Sequence, residues 1–141
     1  MKDFVKDFIT PEEQSLLLDN FEDDAQWRYS SLSGIKLIIA DRVLEHLGID
    51  ANEHMYVRYE SRSKRDSIRW HNDQRLMTDK SPCDYGCCIM LSNSYEYTGG
   101  ALKYEDCEVA YEGRAMAYHT GDERHCVTAT QGVRKTFLIF M

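Results

Sequence analysis

The stretch "RWHNDQR", residues 69–75, sets a histidine and an aspartate one residue apart. On a β-strand, side chains at i and i+2 point to the same face, so His71 and Asp73 would reach one point while Asn72 faces away. Such a pair is either two-thirds of a metal site or a solvated pair on a strand edge. One strand does not easily supply a third ligand, so it must come from elsewhere in the fold. The other histidines are His46, His54, His119 and His125.

Around this stretch the texture is that of short strands. From residue 54 onward, β-branched and aromatic runs alternate with turn residues: "HMYVRYE", "SIRWHND", "YGCCIMLS", "GALKYE", "CEVAYEG", "RAMAYHT", "HCVTATQ" and "RKTFLIFM". Gly99-Gly100, Gly113, Gly121 and Gln131-Gly132 punctuate them. The first part of the chain reads as helical. In "FITPEEQSLLLDNF" Thr10 is an N-cap, Pro11 the first helical residue and Glu13 the third, which makes a capping box. In "IKLIIADRVLEHLGI" residues Ile35, Ile38, Ile39, Val43, Leu44 and Leu47 share one broad face, and Gly48 ends the helix. The predicted class is mainly β with N-terminal helices (α+β), a double-sheet sandwich or jelly roll with helices on one side. One domain over 1–141 accounts for this, with helices over about 10–48 and a β-core over about 54–141.

Composition narrows the function classes. The chain has 141 residues, 43% hydrophobic and 29% charged, which is ordinary for a globular protein. Its net charge of -7 argues against a surface that grips nucleic acid or anionic membrane over its whole face. The opening "MKDFVKDF" lacks the apolar core of a signal peptide. Apolar runs such as "CCIML" and "FLIFM" fall far short of the ~20 residues needed to cross a bilayer. The expectation is therefore a cytoplasmic protein whose five cysteines are reduced thiols. The "CDYGCC" spacing has no second pair to complete a zinc site.

Two imidazoles and one carboxylate are the facial ligand set of non-heme Fe(II) oxygenases, which leaves positions open for co-substrate and dioxygen. Three features favour that chemistry over a strand-edge pair. In "HCVTATQGVRKTFLIF" a hairpin turning at Gln131-Gly132 would bring Arg134 back beside His125, where a guanidinium can clamp a dicarboxylate. In "YTGGALKY" two glycines permit close backbone approach. In "YVRYESRS" Tyr59 offers a hydroxyl one short connection before His71.

The order of an R-Y strand, H-x-D, GG-x-L, H-x-V and then R resembles the Fe(II)/2-oxoglutarate-dependent oxygenase superfamily, in its prolyl-4-hydroxylase-like branch. The resemblance covers roughly residues 55–141 and, more loosely, the opening helix. It implies a double-stranded β-helix with helices packed on one sheet. It implies Fe(II) on His71, Asp73 and His125, with Arg134 and Tyr59 binding 2-oxoglutarate. Dioxygen would be the oxidant, with ascorbate in support, and a peptidyl residue, proline foremost, would be hydroxylated with release of succinate and CO2. His119 competes for the distal ligand position, but only His125 has the H-x-V…G-x-R context.

The sequence departs from the family in places. Ala129 stands where a proline is frequent, and Met90 or Cys88 falls near a position often held by a co-substrate tyrosine. The usual glycine-containing loop before H-x-D is replaced by "ESRSKRDSIRW", residues 60–70. Arg58, Arg62, Lys64, Arg65 and Arg69, against Glu60 and Asp66, give this region a net charge of +3 on an acidic chain. With Trp70, the arginines Arg58, Arg62, Arg65 and Arg69 are the substrate-binding candidates. A basic loop would also suit a nucleic-acid base-modifying oxygenase, the alternative function. The alternative from a different class is a non-catalytic, cupin-like metal-binding or interaction module.

Overall fold

Thr10 opens the first helix as its residue type requires. Its hydroxyl accepts from the Glu13 N–H at 3.1 Å, and the Glu13 carboxylate accepts from the Thr10 N–H at 2.8 Å. The computed structural model describes residues 2–63, 67–74, 77, 82–109 and 112–141. Its elements are β1 (Lys2–Val5), α1 (Pro11–Asp19), β2 (Gln26–Arg28), α2 (Gly34–Leu47), β3 (Tyr56–Ser63), β4 (Ile68–His71), β5 (Tyr85–Met90) and β6 (Tyr97–Gly99). They continue with β7 (Leu102–Tyr104), β8 (Glu108–Val109), β9 (Met116–Thr120), β10 (His125–Val127) and β11 (Thr130–Phe140). Gly48 closes α2 in the left-handed region at φ 68°, which spares a Cβ clash there.

The strands form two sheets. The larger runs β1-β9-β5-β11-β3-β2, with β6 joined to β11, and the smaller runs β4-β10-β7-β8. Every described pairing is antiparallel. This is the expected jelly roll, with both helices on the outer face of the larger sheet. Leu17, Ile39 and Val43 from the helices bury against Val57, Tyr59 and Phe137 from the sheet. The Glu13 carboxylate grips Arg42 through two bonds of 2.7 and 2.6 Å, tying α1 to α2. A second apolar cluster of Met90, Leu102, Ala117 and Val127 lies between the sheets.

Three local expectations are corrected. The N-terminal part is not purely helical, because β1 and β2 add short strands at the two ends of the larger sheet. The stretch 60–70 is not one loop, because β3 runs to Ser63 and β4 begins at Ile68. Gln131-Gly132 is no hairpin turn. Both residues lie inside β11 and pair with β6, Gly132 at φ 86° opposite Tyr97. The chain changes sheet at residues 128–129, so β10 and β11 belong to different sheets.

The cysteines are free thiols. Cys87 packs toward the helices and Cys88 toward the space between the sheets, the two faces their adjacency requires. Among the described residues no helix is long and apolar enough to cross a membrane.

Candidate metal centre

His71 ends β4 and lies directly opposite His125 of β10, which in turn lies opposite Tyr104 of β7. Neighbours across a sheet share a face, so the three rings form a row on the inner side of the smaller sheet. The His71 and His125 ring centres are 4.3 Å apart. Asp73 lies past the strand end. Its N–H donates to the Gly121 carbonyl at 2.9 Å, and this anchor, rather than strand geometry, turns the carboxylate inward.

His71 Nε2 is 3.6 Å and His125 Nε2 3.3 Å from Asp73 Oδ1. The three candidate ligand atoms lie within 4.8 Å of one another. The other ring nitrogens are spoken for, His71 Nδ1 by the Arg69 carbonyl at 2.6 Å and His125 Nδ1 by the Glu123 carbonyl at 2.9 Å. A carbonyl only accepts, so each Nδ1 carries the proton and each neutral ring offers its Nε2 lone pair. Two such lone pairs and a carboxylate oxygen converging on one point fit a divalent cation.

Electrostatics agree with that donor set. Burial pushes the Asp73 carboxyl up, but hydrogen bonds with His119 and His125 outweigh it and hold the group well below the usual carboxylate range. Burial pushes His125 down, yet Asp73 beside it raises it on balance. A metal would therefore displace a proton that His125 holds more tightly than an ordinary histidine.

The site opens on a cavity of about 300 Å³ between the sheets. Ile68, Leu102, Val127, Leu138 and Phe140 give it apolar walls, and Arg58, Glu60 and Arg134 add charge. Arg134 is only 2% exposed. It enters from the larger sheet while His125 stands on the smaller one, so opposing sheets bring them to one cavity. Gly100 makes room for it: a Cβ there would lie 2.6 Å from Arg134 Cδ and 2.9 Å from Thr130 Oγ1. The Thr130 hydroxyl is buried and has no hydrogen-bond partner among the described residues. An orphaned hydroxyl beside a buried guanidinium suits a carboxylate, which accepts from both.

Other expected residues fall elsewhere. Tyr59 is off the cavity and fully buried under the helices, where its hydroxyl donates to the Leu17 carbonyl at 2.6 Å. Its ring packs on Phe21, Trp27 and Phe137. The period of two along β3 explains this, since Val57 and Tyr59 face the helices and Arg58 and Glu60 face the cavity. Arg58 and Arg62 are not a surface patch, because both pair with Glu60 and are largely covered. Trp70 is 43% exposed, and the Arg124 guanidinium carbon lies 6.0 Å from its ring centre. Arg69 is exposed, and Arg65 lies outside the described residues.

Three residues of the site have no place in the sequence motifs: Thr130, Tyr104 and Gly86. His119, a rival ligand by sequence, instead donates from Nε2 to Asp73 Oδ2 at 2.7 Å, with Tyr104 at its other nitrogen. The signal for Gly86 was available, since a glycine inside a strand marks close approach.

No known protein-family profile matches this sequence, and no curated protein does. Solved structures do match. A Pseudomonas putida prolyl-4-hydroxylase is 10% identical, with 99% of this chain and 90% of that chain covered and a TM-score of 0.72. An oxidoreductase of the 2OG-Fe(II) oxygenase family from Burkholderia pseudomallei is 12% identical, with 99% and 82% covered and a TM-score of 0.67. A truncated form of the viral collagen prolyl hydroxylase vCPH from Paramecium Bursaria Chlorella virus-1 is 11% identical, with 99% and 88% covered and a TM-score of 0.78. At these identities the likeness is one of fold, and the chain has the jelly-roll fold of the prolyl hydroxylases and 2OG-Fe(II) oxygenases.

Proposed function

We propose that this chain is an Fe(II)- and 2-oxoglutarate-dependent dioxygenase that hydroxylates a C–H bond, with a peptidyl prolyl residue as the leading substrate. One observation carries the reading: two histidine Nε2 atoms and one Asp73 oxygen converge on a cavity that also holds the buried Arg134. Fe(II) bound there would couple the oxidative decarboxylation of 2-oxoglutarate by O2, giving succinate and CO2, to transfer of the second oxygen atom into the substrate C–H bond. Ascorbate would keep the metal reduced.

In this reading His71, Asp73 and His125 hold the metal. Arg134 clamps the far carboxylate of 2-oxoglutarate, and the Thr130 hydroxyl donates to the same carboxylate. The apolar walls exclude water from the reacting centre. Arg58, with Arg62 beside it, meets the substrate on the β3 wall, while Arg69 and Trp70 flank the His71 strand on the outside. The coverage of Arg58 and Arg62 by Glu60 favours a peptide over a polyanion, and prolyl hydroxylases among the similar folds support the same choice.

The test is succinate release from 2-oxoglutarate with Fe(II) and ascorbate, with and without proline-containing peptides. Slow uncoupled turnover, stimulated by a prolyl peptide that gains one oxygen atom in mass, is expected. Absence of turnover from protein that demonstrably holds Fe(II) would leave a binding module instead.

A further inference from the structure

Asp73 has two carboxylate oxygens, and they meet different partners. Oδ1 faces the Nε2 atoms of His71 and His125, whereas Oδ2 accepts a hydrogen bond from His119 Nε2 at 2.7 Å. His119 comes from β9 in the larger sheet, so this bond joins the two sides of the barrel. Facing a carboxylate, the neutral ring must carry its proton on Nε2, so Nδ1 is left as an acceptor. The Tyr104 hydroxyl lies 2.8 Å from that nitrogen and donates to it. Tyr104, His119 and Asp73 thus form one directional, buried chain.

Gly86 of β5 closes over the same bond. A Cβ there would lie 2.2 Å from Asp73 Oδ2 and 2.9 Å from His119 Nε2. Only glycine lets the β5 backbone cover the pair without displacing it. His119 also stacks near His125, with ring centres 4.1 Å apart, close enough to serve as a ligand if its lone pair were turned inward.

We propose that Tyr104 and His119 are positioning residues that reserve Oδ2 of Asp73 for the protein and present Oδ1 alone to the metal. Tyr104 sets the His119 tautomer, and that tautomer makes His119 a donor to Asp73 rather than a further ligand. The metal then meets one carboxylate oxygen and two imidazoles, which keeps coordination positions open for exogenous ligands. The inference rests on the metal-binding part of the function proposed above and deepens it.

The test uses the full chain and Mn(II) alone, without 2-oxoglutarate or substrate. Free Mn(II) is followed by EPR during titration of the wild type, His119→Leu, His119→Gln and Tyr104→Phe, with thermal melts to check folding. His119→Leu should raise the Mn(II) Kd roughly 10–100-fold, the range for loss of a group that orients a ligand. His119→Gln should recover most of that loss, because its amide N–H reaches about where Nε2–H stood. Tyr104→Phe should weaken binding less than His119→Leu. Pulsed EPR of the wild-type Mn(II) form should report two coupled imidazoles.

A wild-type Kd in folded His119→Leu, a Gln variant as weak as the Leu variant, or three coupled imidazoles would each overturn the relay. If His119→Leu does not fold, Gly86→Ala takes its place, since it crowds the same bond from β5. Its Kd should rise, and an unchanged Kd would overturn the proposal. Mn(II) binding with the expected ratios but no succinate release would remove the dioxygenase reading and leave the relay standing. Full turnover with unchanged ratios would do the reverse.

Discussion

Strands β3 and β11 each have two faces, and the two faces are different materials. Toward the helices they present Val57, Tyr59, Phe137 and Ile139, all fully buried. Toward the cavity they present Arg58, Glu60, Arg134 and Leu138. The same eight register pairs, from Val133↔Ser63 to Phe140↔Tyr56, hold both faces together. The closed face holds the sheet to its helices, and the charged face lines the cavity. Because successive side chains alternate, one position along the strand decides whether a residue packs under the helices or lines the cavity.

The sharpest way to break this comparison is at the inner face. Asp73→Ala should remove Mn(II) and Fe(II) binding altogether, because it deletes the carboxylate that both histidines share. Metal analysis of the purified variant checks it, and retained metal would mean that another group holds the ion. Removal of the metal from the wild type by a chelator should abolish succinate release in the same way, with restoration on adding back Fe(II).

Arg134→Ala tests the far part of the same face. Loss of a buried charge partner costs about 2–5 kcal/mol, so the KM for 2-oxoglutarate should rise roughly 30-fold or more. The thermal midpoint should move much less than the KM. An unchanged KM would show that the carboxylate clamp lies elsewhere.

Tyr59 tests the closed face with the opposite signature. Tyr59→Ala should destabilise the fold by about 3–5 kcal/mol, the range for emptying a large aromatic site in a core. Tyr59→Phe should cost only about 1 kcal/mol, for the hydrogen bond to the Leu17 carbonyl. Neither should change the 2-oxoglutarate KM of the folded fraction. A KM shift in Tyr59→Phe would return this tyrosine to the co-substrate pocket.

The smallest effect is expected at the helix pair. Arg42 beside Glu13 holds its carboxyl down at about 2, against burial, which pushes it up. A folded-state pKa below the ordinary value means stability that is present above pH 4.5 and lost as pH falls toward 2. Glu13→Gln should therefore lower the thermal midpoint by a few degrees at pH 7. The gap to wild type should close on acidification below 4.5. A gap that did not change with pH would show that the Glu13 charge does not stabilise the fold.

Part of the site was legible before any fold was known. H-x-D names two ligand types at a fixed offset, and H-x-V followed by an arginine places the others in order. The capping box and Gly48 were legible for the same reason, since a helix end is satisfied by residues within a few positions of it. Tyr59 was misassigned because a strand sequence does not state which face is inward when both faces are covered. The route by which Arg134 reaches the cavity was misread because Gln131-Gly132 has turn chemistry, yet pairs with a strand from elsewhere.

What the sequence determined by itself is therefore local: the helices and their caps, most strands, and the candidate ligand set of His71, Asp73 and His125. Only the tertiary structure decided which sheet each strand joins, that Asp73 is turned by the Gly121 carbonyl, and that His119 and Tyr104 stand behind it. His119 lies 46 residues from Asp73. Hydrogen bonds over such separations follow from how two sheets close on each other, and no short-range pattern of residues encodes that closure.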